Sequence, residues 1–156
     1  MKINLILIFV FLPLISFAQL TTEEKSTIDN YAANICKCIN GVFETLGPKT
    51  YEMMIIMANE GEEVAIKQIE EYIIAASEED ANKLLESFNS MGSIEFQNKI
   101  EKCDNKEGMS SEMLFSIDNE KGEYSDYFYN YLANTIECNL SNYLMLLGTQ
   151  VEENEK

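Results

Sequence analysis

Apolar residues recur along this chain at steps of three and four, and the series stops and restarts at glycine, proline and serine. Ile28, Tyr31, Ala32, Ile35, Ile39, Val42 and Leu46 trace one face of a helix. Thr21-Thr22-Glu23-Glu24 precedes them as a capping box, a hydroxyl with a glutamate three residues on. Gly47-Pro48 ends the run, because proline lacks the N–H that a continuing ladder needs. A second helix is predicted from Lys49 to about Asn59, with Gly61 closing it. A third covers Glu62 to Ala76, with Ala65, Ile69, Tyr72, Ile73 and Ala76 facing inward.

Ser77-Glu78-Glu79-Asp80 is a further N-cap signature, with acids at the positive end of the helix dipole. Ala81, Leu84, Leu85 and Phe88 follow at helical spacing until Gly92. Ser93 caps a fifth predicted helix with Phe96, Ile100 and Cys103 on its face. "CDNKEGMSS" and "DNEKGEYS" read as polar loops around a short turn at Glu112 to Ile117. A last long helix is predicted from a cap at Ser125 to Leu147, stopping at Gly148. No window alternates apolar and polar residues over the length of a strand. The prediction is therefore all-α: one bundle of about six helices over residues 19–148, with a flexible acidic tail over 149–156. Gly41 is the one helical glycine away from a boundary. "YAANICKC" (Tyr31 to Cys38) and "YLANTIEC" (Tyr131 to Cys138) echo each other, but no repeat period extends the match.

Residues 1–18, "MKINLILIFVFLPLISFA", break the helical pattern in another way. A single positive charge, a short apolar core and small residues at Ser16 and Ala18 form the three parts of a secretory signal peptide. The apolar run is shorter than the roughly 20 residues that span a bilayer, and Pro13 interrupts it. The expectation is cleavage before Gln19, export to a periplasm or the medium, and no stable membrane insertion afterwards. Export places the cysteines where disulfides persist.

Charge changes the picture next. The chain has 27 acids against 11 basic residues, all of them lysine, for a net charge of −16. Such a chain repels nucleic acid and anionic membranes, and without arginine it lacks the bidentate fork that reads guanine or phosphate. Histidine is absent, which excludes Ser-His-Asp and Cys-His nucleophile pairs and histidine-ligated zinc. No catalytic constellation is recognisable, and no cofactor is called for. "DNEKGEYSD" fails the register of a calcium loop. Met53, Met54 and Met57 could bind soft Cu(I), but such a stripe is more often core or an adaptable contact surface. No metal site is predicted.

Cys36, Cys38, Cys103 and Cys138 form an even set, which argues for two disulfides. Residues two apart on a helix are rotated by about 200°, so Cys36 and Cys38 point to opposite flanks and cannot easily close on each other. Cys36 lies on the Ala32–Phe43 side and Cys38 on the Tyr31–Val42 side. The first helix is then stapled to two others, and the pairings 36–103/38–138 and 36–138/38–103 both remain open. A redox-active C-x-C would need a depressed thiol pKa, and these cysteines lie mid-helix with only Lys37 between them.

"EYSDYFYNY" crowds aromatics at the start of the last helix. Tyr127 and Tyr131 share one face, Tyr124 and Phe128 the neighbouring one, and Tyr129 points elsewhere. Five aromatics cannot all face one core, so Tyr124, Tyr127 and Tyr129 are the candidate partner-binding residues, tyrosine being a frequent interface anchor. The expected function is an exported acidic helical interaction protein that docks a basic protein partner, with the profile of an inhibitor or immunity-type protein. The alternative is a small-ligand or metal carrier with a pocket between helices.

Overall fold

The computed structural model describes residues 20–104 and 123–154, with side chains to residue 147. The predicted signal peptide, the turn at Glu112 to Ile117, most of the two flanking loops and the last residues of the tail lie outside them. The described residues form seven α-helices and one 3-10 turn, with no strand. In order these are α1 (Thr22–Glu44), α2 (Pro48–Glu60), α3 (Glu62–Ala75), α4 (Glu78–Met91), α5 (Ile94–Asp104), α6 (Glu123–Asn134), the 3-10 turn (Ile136–Cys138) and α7 (Asn139–Asn154).

The punctuation in the sequence sets the helix ends. Thr21 Oγ1 accepts from the Glu24 N–H at 3.2 Å, and Glu24 reaches back to the Thr21 N–H at 2.7 Å. Ser77 Oγ caps α4 at the Asp80 N–H, and Ser93 Oγ caps α5 at the Phe96 N–H, both at 3.2 Å. Pro48 opens α2 rather than merely ending α1, since the first turn of a helix does not need its N–H. Gly47 before it sits at φ 103°, and Gly61 at φ 94° closes α2 and opens α3 within a single residue. Both angles lie where a Cβ would be strained.

α1 is the centre of the molecule. It packs against α2, α5, α6, the 3-10 turn and α7. Its buried arc is therefore wider than one stripe: Cys36 and Phe43 are buried with Ile28, Tyr31, Ala32, Ile35 and Ile39, while Val42 and Leu46 are only partly covered. Phe43 meets Phe96 of α5 edge-on with ring centres 5.1 Å apart. Met53 and Met54 lie buried on α2, packed as core side chains.

α3 and α4 form a thinner outer layer. They rest on α2 and on each other, and α4 also touches α5. Of the α3 residues expected to face inward only Ala65 is buried; Ile69, Tyr72, Ile73 and Ala76 are half-covered because a single layer lies beneath them.

The largest departure from expectation is in the last helix. It breaks at Thr135, whose backbone is extended (φ −111°, ψ 116°), and this raises the count from about six to seven. The chain passes through the 3-10 turn before α7 begins. Ser125 sits inside the first turn of α6 rather than capping it, and α7 runs through Gly148 to Asn154 rather than stopping there.

Candidate functional site

Both staples hold α1. The sulfurs of Cys36 and Cys138 are 2.02 Å apart, and those of Cys38 and Cys103 are 2.21 Å apart. The Cα–Cα separations, 4.9 and 5.5 Å, suit disulfides. Cys36 thus reaches the 3-10 turn and Cys38 reaches α5, from opposite flanks of one helix. Of the two pairings the sequence leaves open, the geometry takes 36–138 with 38–103.

The three candidate tyrosines do not form one outward patch. Tyr124 donates its hydroxyl to Glu24 of α1. Tyr127 faces Asp29 of α1, and the Lys25 ammonium lies 5.7 Å from its ring centre. Burial and the Asp29 carboxylate push the Tyr127 hydroxyl above its ordinary pKa, while the Tyr124 hydroxyl holds Glu24 below the usual carboxylate range. A third pair extends the row: Tyr31 donates to Asp104 Oδ1 at 2.5 Å, and its ring lies 5.7 Å from Phe128. Burial first, and Asp104 second, push Tyr31 strongly upward. Tyr124 and Tyr127 therefore bind α6 to α1. Tyr129 is 37% exposed and packs edge-on against Phe128, so it offers only part of its ring to solvent.

A concave feature lies at the helix break instead. Where the chain turns at Thr135, it leaves an open groove of about 570 Å³ against α1 and the start of α2. Ala33, Gly41 and the Cys36–Cys138 pair supply small groups along it. Tyr51 and Tyr131 line it with aromatic surface, and Lys37, Glu44 and Glu137 bring charge. A Cβ built on Gly41 would meet nothing within 4 Å, so a larger side chain has room at this edge of the groove. Asn40 Nδ2 donates to the Glu137 carbonyl at 2.8 Å, tying the 3-10 turn to α1 beside the disulfide pair. Burial and the Glu44 charge both raise the Tyr51 pKa, so its ring stays neutral at physiological pH. Among the described residues Lys37, Glu44 and Glu137 enter no Lys–carboxylate pair.

None of the groove's charged or aromatic residues was singled out from the sequence as a site. The mid-helix Gly41 was the one visible signal. The groove depends on the break at Thr135, and a continuous last helix would not open it. No group of three or more acidic or cysteine side chains among the described residues is placed to hold a metal ion. No helix among them is long and apolar enough to cross a membrane.

The described residues thus form an all-α, cysteine-paired bundle with a solvent-open groove at the helix break. Compared with known proteins, the chain matches no family profile, no curated protein and no solved structure.

Proposed function

We propose that the protein is an exported interaction module that docks a basic protein partner through its acidic surface. The observation that carries this reading is where the charges are spent. The four Lys–carboxylate pairs among the described residues each lie within a single helix, at i,i+3 or i,i+4. Between helices, carboxylates accept from tyrosine hydroxyls and Lys25 and Lys49 lie over tyrosine rings, so these contacts leave the acids unneutralised, and apolar packing, asparagine hydrogen bonds and the cysteine pairs complete the joins. The acid excess behind the net charge of −16 is therefore left for solvent and for a partner. Pairs at disulfide distance suit the oxidising compartment that export implies. A carrier would enclose its cargo, whereas the groove's Lys37, Gly41, Glu44 and Glu137 are exposed, and this favours docking over carriage.

The test is capture from native cell envelopes with the oxidised protein, followed by titration of the purified partner at rising salt. A basic partner whose affinity falls steeply between low and physiological ionic strength is expected, since surface charge is screened beyond about 8 Å there. A neutral or acidic partner with salt-independent affinity would overturn the reading.

A further inference from the structure

We infer that the groove at the α6–α7 break is the pocket for a lysine or arginine side chain presented by the partner's segment. The inference rests on the docking reading above and places it on particular residues.

Four features converge. Glu44 and Glu137 flank the groove with carboxylates that no lysine among the described residues neutralises. Tyr51 and Tyr131 add aromatic rings, whose faces attract an ammonium or guanidinium group. Ala33, Gly41 and the Cys36–Cys138 pair leave a shallow surface along which an aliphatic stem can lie. Ile136, between the lining residues Thr135 and Glu137, is 82% exposed. A free amine has no use for that isoleucine, but a peptide segment covers it while its basic side chain enters. The volume of about 570 Å³ also exceeds what one side chain fills, leaving room for its neighbours. Lys37 is the single opposing charge; it lies on an exposed turn of α1 and is outnumbered two to one by Glu44 and Glu137.

The experiment is an NMR titration of the oxidised, isotopically labelled protein with blocked pentapeptides Ac-Ala-Leu-Xaa-Leu-Ala-NH2, where Xaa is lysine, norleucine or glutamate. The lysine peptide should shift the amide signals of Gly41, Tyr51 and Thr135, with the norleucine and glutamate peptides roughly tenfold weaker or silent. Lys37→Gln should tighten the lysine peptide, and Ile136→Ser should weaken it without lowering the melting temperature. Gly41→Leu fills the open space beside α1 and should abolish the shifts while the fold remains intact by circular dichroism. Equal binding of the norleucine peptide would make the groove merely apolar. Preference for glutamate, or weakening by Lys37→Gln, would make it an anion site. Binding of n-butylamine as tight as that of the lysine peptide would make it a small-amine site. Each of these results overturns the inference. If Gly41→Leu keeps full salt-dependent affinity for the captured partner, docking stands and the groove assignment falls. If no basic partner exists although the lysine peptide binds, the docking reading fails by itself.

Discussion

Ser141 on α7 is fully buried, and its hydroxyl has no hydrogen-bond partner among the described residues. A desolvated hydroxyl with no partner costs about 1–3 kcal/mol, while its removal leaves a space smaller than a methyl group. Ser141→Ala should therefore raise stability, by about 1 kcal/mol on a denaturant titration. A loss of similar size would mean that the hydroxyl is satisfied in solution. Tyr129 shows how a residue can differ from its reading on a helical wheel. It lies off both aromatic faces of α6, yet it packs edge-on against its neighbour Phe128, a contact that a wheel does not display.

At the scale of elements, tyrosine–carboxylate pairs do work that lysine–carboxylate pairs do elsewhere. Tyr143 of α7 donates to Glu62 of α3 at 2.8 Å, and burial together with that carboxylate pushes its pKa up to about 12. Tyr31 and Tyr51 are raised as well, each chiefly by burial. A raised tyrosine pKa means that the folded state holds the proton more tightly than the unfolded chain does. This stability is fully present below about pH 10, the unfolded value, and is lost as pH rises through the folded values. Melting temperature should thus hold up to about pH 10 and then fall steeply, and Tyr143→Phe should flatten the part of that fall below about pH 12. A fall that begins near pH 8, or an unchanged slope in the variant, would contradict this. The cysteine pairs make a second test. Peptide mapping of unreduced protein should link Cys36 to Cys138 and Cys38 to Cys103, with no free thiol. Replacing Cys38 and Cys103 together by serine opens a loop spanning 65 residues and should cost about 4 kcal/mol in the chain-entropy picture. Recovery of a Cys36–Cys38 link would remove the staple and reopen a redox role.

These elements also mark how far the sequence could be read. The capping box at Thr21, the serine caps at Ser77 and Ser93 and the glycine ends at Gly47 and Gly61 are local chemistry, and their elements appear in place. Opposite flanks for Cys36 and Cys38 follow from helix geometry alone, but the choice of partner needs tertiary packing. The break at Thr135 was not legible, because "YLANTIEC" keeps a helical pattern across it. What accompanies the break is contact at a distance: the Cys36–Cys138 pair and the Asn40 bond to the Glu137 carbonyl, from residues about 100 positions upstream. The groove inherits that illegibility, since Thr135, Glu137 and Cys138 at the turn line it.

On the scale of the whole molecule, stability is distributed unevenly. α1 buries seven side chains and carries both staples, whereas α3 buries only Ala65 and α4 only Ala81 and Leu84. The segment from Glu62 to Met91 also holds eight acids against Lys67 and Lys83, so the outer layer repels itself. The Cys38–Cys103 pair keeps α5 on α1 when α3 and α4 open, so that opening gives up chiefly their contacts with α2, the α4–α5 contact and the Tyr143–Glu62 hydrogen bond. Native-state hydrogen exchange should show α3 and α4 exchanging through a low-energy opening, well before the amides of α1. Added salt should screen the repulsion and slow exchange in α3 and α4 more than in α1. Reduction should narrow the gap between the two regions, because α5 then loses its tether and α1 becomes easier to open. If α3 and α4 instead exchange together with α1 at the slowest rate, the molecule opens as one cooperative unit. The acids of the outer layer would then be neutral to its stability, and a basic partner seated against them would add affinity without tightening the fold.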